Sequence, residues 1–142
     1  MNKRIKKKRT RMINKHLCER YPFLIPRNRF TDQILWEDKS SWYYCYPYSF
    51  TELDEMPHGW RCAFGIQMCE EIKEELIKSN HLKEYRIMQI KEKYGGLRWY
   101  DSGASKQVHD IIYKYMDLSE RTCISCGRPA TKISLGWIRP FL

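Results

Sequence analysis

The sequence contains no apolar run long enough to cross a membrane. Its apolar segments stay well below the roughly 20 residues that a membrane-spanning helix needs. The basic start is not followed by the apolar region that a secretory signal requires. We therefore expect no membrane partner and a cytoplasmic location.

The sequence also lacks the common signatures of hydrolases and transferases. It has no His-Glu-x-x-His, no Gly-x-Ser-x-Gly and no glycine-rich phosphate loop followed by Lys-Ser/Thr. Glu52, Asp54 and Glu55 precede a predicted helix, where acids complement the positive helix end. Helix capping explains these carboxylates better than catalysis, so we expect a protein that is not an enzyme.

Acidic residues are scarce at the N-terminus. The first 30 positions contain eleven Lys and Arg but only one acid, Glu19, whereas the remainder has 15 basic and 16 acidic residues. The net charge of +9 therefore belongs to an N-terminal arm. Blocks of like charge stay solvated and often bind nucleic acid.

We predict that residues 1–16 form this arm, flexible until bound, and that it contacts the phosphates of nucleic acid by counterion release. The alternative is a solubilising tail. The candidate nucleic-acid-binding residues are Lys3, Arg4, Lys6, Lys7, Lys8, Arg9, Arg11 and Lys15.

Between the arm and the first predicted helix of the body lies an aromatic-rich stretch, SWYYCYPYSF, at residues 41–50. Exposed rings beside positive charge can stack on unpaired bases. Tyr and Trp are also common in strands, so we favour a short strand or hairpin whose rings pack on the core. Upstream, Pro22 and Pro26 predict an extended segment, because proline disfavours helix interiors and central strands.

Residues 17–142 are predicted to form a single α+β domain, in which two helices pack on a small antiparallel sheet. Residues 51–80 carry the strongest helical pattern, with capping by Thr51 and Asp54. Gly65 within this helix suggests close packing. The apolar stripe recurs every four residues at Trp60, Phe64, Met68, Ile72 and Leu76.

Two further elements follow this helix. Residues 83–103 predict a β-hairpin with Gly95-Gly96 at its turn. Residues 104–122 predict a second helix with Ser105 as a candidate cap. Its expected apolar face consists of Val108, Ile111, Ile112, Tyr115 and Leu118.

The last part of the chain contains Cys123-Ile-Ser-Cys126-Gly127, followed by a predicted strand over residues 130–138. This Cys-x-x-Cys-Gly spacing is typical of a zinc knuckle, although a tetrahedral site needs four ligands. A redox role is disfavoured, because it would require Cys123 at a helix N-terminus. All six cysteines are expected to be reduced thiols. Cys62 and Cys69, seven residues apart and so on one face of a helix, are interpreted as buried.

Three stretches together resemble a family of uncharacterised small proteins from phages, prophages and other mobile elements of bacteria. They are DEMPHGWRCAFGIQMCEEI, YRIMQIKEKYGGLRWYDSG and LSERTCISCGRPATKISLGWIRPF. With the basic start, the resemblance covers most of the chain. It places the protein in the cytoplasm of a bacterial host cell.

The resemblance also implies that Cys123 and Cys126, at the knuckle of residues 123–127, are zinc ligands. Similar proteins continue past Gly-Trp-Ile-x-Pro into a second Cys-x-x-Cys, which has no matching positions in this sequence. Further ligands would then have to come from Cys18, Cys45, Cys62, Cys69, His16, His58, His81 or His109.

Two functions follow from these features. The first is a small accessory protein of a phage or mobile element that binds nucleic acid or a nucleoprotein complex through its arm. The second is an anti-defence, anti-CRISPR-like inhibitor that binds a host nuclease complex. Salt dependence discriminates between them, because phosphate contacts weaken steeply with salt.

Overall fold

The computed structural model describes residues 2–134 and 138–142. Its contacts divide the chain into two compact units, Met1–Glu52 and Leu53–Leu142. The first unit has twelve basic and five acidic side chains, hence a formal net charge of +7. The second unit has fourteen basic and twelve acidic side chains, hence a formal net charge of +2. Most of the excess positive charge therefore belongs to the smaller unit.

The basic arm forms the first half of helix α1 (Lys3–Arg20). Asn2 caps this helix, since its Oδ1 accepts a hydrogen bond of 2.9 Å from the Arg4 N–H. The side chains are exposed until Asn14 and Cys18, which are both buried. Helix α1 continues past residue 16, where the arm was predicted to end. The arm residues therefore belong to the same compact unit as the residues that follow them, up to Glu52.

The segment after α1 is more compact than the predicted extended segment. Pro22–Leu24 forms a turn of 3₁₀-helix, with proline in the first turn, where its missing N–H costs nothing. Phe23 and Leu24 are buried by this turn. The prediction of an extended segment is therefore wrong at Pro22–Leu24.

Residues 41–50 form a series of turns, and the predicted strand or hairpin is wrong. Cys45 and Tyr48 adopt positive φ angles of 66° and 57°. A strand needs negative φ at successive residues, so these two positions interrupt any extended pairing. The turns are fixed by the Trp36 ring, which lies 5.0 Å from the Tyr48 ring, and by a 2.9 Å hydrogen bond from Asn14 Nδ2 to the Tyr48 carbonyl.

The second unit begins with a helix in three parts. A turn of α-helix, α2 (His58–Trp60), leads into a π-helical stretch (Arg61–Gly65) and then into α3 (Ile66–Lys78). The predicted apolar stripe is confirmed, because all five of its members are buried. They are Trp60, Phe64, Met68, Ile72 and Leu76.

The predicted start of this helix is wrong. Glu52–Glu55 forms a separate 3₁₀ turn, and the N-cap of α2 is Pro57. A proline disfavours helical geometry in the residue before it, so the helix cannot extend back to Thr51. Asp54 instead accepts a hydrogen bond from the Arg61 guanidinium.

The predicted hairpin is present as strands β1 (Arg86–Lys93) and β2 (Gly96–Ser102). Its turn is shifted by one residue from the prediction. The two central residues are Tyr94 and Gly95, with φ angles of 53° and 81°, while Gly96 pairs with Lys93 in the ladder. Two positive φ angles in a two-residue loop match the twist of the strands.

A β-bulge between Ile87 and Gln89 explains the burial pattern of β1. Strict alternation would place Ile87 and Ile90 on opposite faces, yet both are buried. The extra residue at Met88 moves Ile90 to the face of Ile87. The sequence pattern did not reveal this irregularity.

Helix α4 (Lys106–Ser119) packs against both α3 and β2. Ser105 is its N-cap, as predicted, and its Oγ accepts a hydrogen bond of 3.3 Å from Val108 N–H. Leu118 was expected in the buried face but is 37 % exposed, and Ser119 is buried instead. The Ser119 hydroxyl accepts from the Leu97 N–H at 2.8 Å, which ties α4 to the hairpin. The predicted α+β class is confirmed.

The end of the chain pairs in a second small sheet. Strands β3 (Lys132–Ile133) and β4 (Pro140–Phe141) are antiparallel. The predicted strand over residues 130–138 is therefore reduced to two residues in its described part, and positions 135–137 lie outside the described residues. Within the described ranges, no helix combines the length and apolar character needed to span a bilayer.

Gly59 allows a close approach of two backbone segments in the second unit. A Cβ there would lie 2.3 Å from the Cys123 carbonyl oxygen and 2.5 Å from that of Ile124. At Gly65, where the sequence suggested close packing, the nearest atoms would be at 3.4–3.6 Å, an ordinary contact. The expectation of close approach at Gly65 is therefore wrong.

We expect Gly59→Ala to lower the free energy of unfolding by about 1–3 kcal/mol or more, because backbone atoms must move to admit the methyl group. Gly65→Ala is the matched control and should be neutral or stabilising by up to about 1 kcal/mol, since alanine favours helix. Urea denaturation of the two variants checks this. Equal effects of both substitutions would contradict the packing described.

Candidate nucleic-acid interface

One face of α1 forms a groove with the aromatic turns of the first unit. Residues three, four, seven and eight apart lie on one side of a helix, and this spacing brings Lys3, Lys6, Lys7, Thr10 and Arg11 together. Tyr46 and Ser49 form the opposite wall. The enclosed volume is about 410 Å³. We call this the α1 groove.

Within the part of the chain that the structure describes, no acidic side chain neutralises the cations of the α1 groove. With the described residues, none of the seven basic side chains from Lys3 to Arg11 forms an ion pair. The first acidic partner along the helix is Glu19, which lies 4.0 Å from Lys15. The first turn contains no acid to complement the helix dipole.

This arrangement of like charges destabilises α1. Like charges at i,i+4, as at Lys3 and Lys7 or at Arg4 and Lys8, each destabilise a helix by a few tenths of a kcal/mol. A polyanion laid along the helix would remove this repulsion and complement the positive end of the dipole. The electrostatics of α1 therefore favour an anionic partner.

The predicted binding residues separate into two sets. Lys3, Lys6, Lys7 and Arg11 line the α1 groove. Arg4, Lys8, Arg9 and Lys15 do not. At about 100° per residue, Lys8 and Arg9 lie on the side of α1 away from the groove, whereas Arg4 and Lys15 lie next to Arg11 at its edge. All eight belong to exposed residues.

The other three lining residues were not among the predicted binding residues. They are Thr10, Tyr46 and Ser49. Thr10 could have been found, because it follows Lys6 and Lys7 at the spacing of one helical face. Tyr46 and Ser49 could not, because their placement depends on the turns of residues 41–50, which do not follow a regular period.

The knuckle packs against the start of the three-part helix. Gly59 N–H donates to the Ile124 carbonyl at 2.8 Å, and a Cβ on Gly127 would lie 2.5 Å from the Gly59 carbonyl oxygen. Gly127 has a φ of +79°, which a side chain rarely adopts. The glycine of Cys-x-x-Cys-Gly therefore permits both the turn and its close approach to the helix.

Cys123 and Cys126 occupy different environments within this turn. Cys123 is buried and Cys126 is exposed. Burial acts to raise the pKa of the Cys123 thiol, but hydrogen bonds from the backbone N–H groups of Cys126, Ser125 and Leu142 outweigh it and lower the pKa to about 7. Such N–H contacts stabilise a thiolate, which is the form that binds metal.

The described residues do not complete a metal site around these two thiols. Among them, no three His, Cys, Asp or Glu side chains are grouped so that they could hold a metal ion. Of the alternative ligands considered from the sequence, His58 and Cys62 lie next to the helix positions that contact the knuckle, and Cys62 Sγ is 3.5 Å from His58 Nε2. The residues present do not form a four-ligand set, so zinc binding stays a prediction.

A second polar cluster joins the hairpin to α4. The buried Tyr85 hydroxyl donates to Asp101 Oδ2 at 2.6 Å and accepts from Trp99 Nε1 at 2.9 Å. His109 Nε2 lies 3.2 Å from Asp101 Oδ1. Burial, followed by the Asp101 charge, raises the pKa of Tyr85. These contacts assign Asp101 and His109 a structural role that the sequence did not indicate.

Comparisons with protein-family models, curated proteins and solved structures found no match. The resemblance to proteins of bacterial mobile elements accordingly stays a prediction from the sequence motifs.

Cys69 is buried as predicted, but Cys62 is exposed, so the prediction of a buried Cys62 is wrong. Thiol labelling tests this placement of the cysteines. In the reduced native protein we expect the exposed Cys45, Cys62 and Cys126 to react with iodoacetamide well before Cys18 and Cys69. Cys69 is further protected because burial raises its thiol pKa to about 12. Peptide mass spectrometry at a series of times measures this order. Rapid labelling of Cys69 without unfolding would contradict the packing, and slower labelling of Cys126 after zinc addition would support the predicted zinc site.

Proposed function

We propose that this protein is a non-enzymatic accessory protein of a bacterial mobile element that binds nucleic acid through the α1 groove. The observation that carries the proposal is the alignment of four unneutralised cations along one wall of a groove. Phosphate oxygens spaced along a nucleic-acid strand are chemically complementary to such a row.

The composition of the α1 groove favours a sequence-independent contact. Lysine acts as a flexible point charge, and three of the four lining cations are lysines. Phosphate contacts determine affinity and position but carry no direct sequence information. We therefore expect binding that depends strongly on salt and weakly on base sequence.

The test compares two double substitutions that remove the same charge from α1. Lys6→Ala/Lys7→Ala removes two cations from the α1 groove, whereas Lys8→Ala/Arg9→Ala removes two from the side of the helix away from it. All four residues are exposed, so neither variant should lose folded structure, and circular dichroism checks this. Affinity is measured by fluorescence anisotropy with labelled oligonucleotides across a salt series.

We expect Lys6→Ala/Lys7→Ala to weaken binding more than its control. Each lost phosphate contact should also reduce the slope of log K against log salt by about 0.7 on a single strand or about 0.9 on a duplex. Equal losses in both variants would mean that net charge alone drives binding, and the α1 groove would not be the site. Absence of salt-dependent binding in the unsubstituted protein would overturn the proposal and direct attention to a host protein complex as the partner.

A further inference from the structure

A second cavity with aromatic walls adjoins the α1 groove. This cavity has a volume of about 390 Å³ and is lined by Trp42, Tyr43, Tyr46 and Ser49. Tyr46 and Ser49 line both spaces. A strand whose phosphates follow the cations of α1 would therefore bring its next nucleotides to the aromatic walls. We call this second space the aromatic pocket.

The aromatic residues of the first unit fall into anchored and exposed groups. Trp36 and Tyr48 contact one another at 5.0 Å, and Tyr43 contacts Phe50 at 4.5 Å between ring centroids. Trp42 is 91 % exposed and Tyr46 is 55 % exposed. Neither of these two rings contacts another ring among the described residues.

Hydrogen bonds and turns define the main chain between the exposed rings. Tyr46 N–H donates to the Tyr43 carbonyl at 3.0 Å, and Cys45 N–H donates to the Trp36 carbonyl at 3.0 Å. Cys45 and Tyr48, on either side of Tyr46, have positive φ angles. Non-glycine residues adopt this conformation at a cost and cluster at sites of function. The turns thus fix the main chain that carries Tyr46 at the aromatic pocket.

Charge and aromatic surface together identify the ligand class. A duplex presents phosphates to a basic surface but hides the faces of its bases within the stack. A single strand offers both phosphates and free base faces, and proteins that bind it combine a cationic track with exposed aromatic platforms. The exposed rings next to the α1 groove have a partner in a single strand and none in a duplex.

We propose that the ligand is single-stranded nucleic acid, with phosphates along Lys3, Lys7 and Arg11 and a base stacked on Trp42 or Tyr46. This inference rests on the proposed function, because the cations must bind phosphate for the base to reach the aromatic pocket. It adds the strand state of the ligand and the residues that contact its bases.

The test uses the full-length protein with single-stranded and duplex oligonucleotides of the same length, as both DNA and RNA. We expect tighter binding to the single strands. Trp42→Ala should weaken single-strand binding by at least about fivefold, the lower end of one base–aromatic stacking contact. Trp42→Phe, which keeps an aromatic face, should retain most of the affinity.

Phe30→Ala provides the matched control. Phe30 belongs to the same unit and is 98 % exposed, but it lines neither the α1 groove nor the aromatic pocket. It should leave binding unchanged. An oligonucleotide with abasic positions offers phosphates without bases, and its binding should be insensitive to Trp42→Ala.

The outcomes separate this inference from the proposed function. Salt-dependent binding that prefers duplex, or that ignores Trp42→Ala and Tyr46→Ala, would overturn the single-strand inference and leave the phosphate contact standing. The aromatic pocket would then belong to a protein partner. If Lys6→Ala/Lys7→Ala also left the affinity unchanged, both the single-strand inference and the proposed function would be overturned. A difference between the DNA and RNA arms would identify which single strand is bound.

Discussion

The proposed function depends on one physical feature, the concentration of uncompensated positive charge along α1. Seven cations occupy positions 3 to 11 without an acid among them. Repulsion between these cations therefore destabilises the helix. The side chains of its first three turns are exposed, so no apolar burial offsets this repulsion. An external anion bound along this segment would reduce the repulsion and complement the positive end of the helix dipole.

The second half of α1 limits how the charge can be used. Asn14 and Cys18 are buried, and the hydrogen bond from Asn14 to Tyr48 connects the helix to the aromatic turns. This attachment converts a row of charges into one wall of a groove. Because the helix is continuous over Lys3–Arg20, the attachment near its end determines which side of the first three turns faces the aromatic turns. Without it, the same residues would form a cationic tail with no aromatic neighbour.

Much of the second unit could be predicted from the sequence, because its signals are local and periodic. The four-residue stripe from Trp60 to Leu76, the Ser105 cap and the hairpin are all present. The errors there have local causes. The helix begins after Pro57 and not at Thr51. The hairpin turn lies at Tyr94-Gly95 and not at Gly95-Gly96. A bulge in β1 places Ile90 on the buried face.

The first unit was harder to predict. The rings of residues 41–50 suggested strand, but the positive φ angles at Cys45 and Tyr48 belong to residue types that give no warning of them. The hydrogen bond that joins Asn14 to Tyr48 spans 34 residues and leaves no pattern in the sequence. The basic half of the candidate site was thus predictable from composition, while its aromatic half required the tertiary structure.

The most direct measurement is photo-crosslinking of the unsubstituted protein to a single-stranded oligonucleotide with photoreactive bases, followed by mapping of the crosslinked peptides. The account predicts crosslinks at residues 41–50, with Trp42 and Tyr46 as the main sites and further crosslinks along the first three turns of α1. Crosslinks confined to Leu53–Leu142 would contradict it, because the contact with nucleic acid would then lie outside the unit that carries the charge.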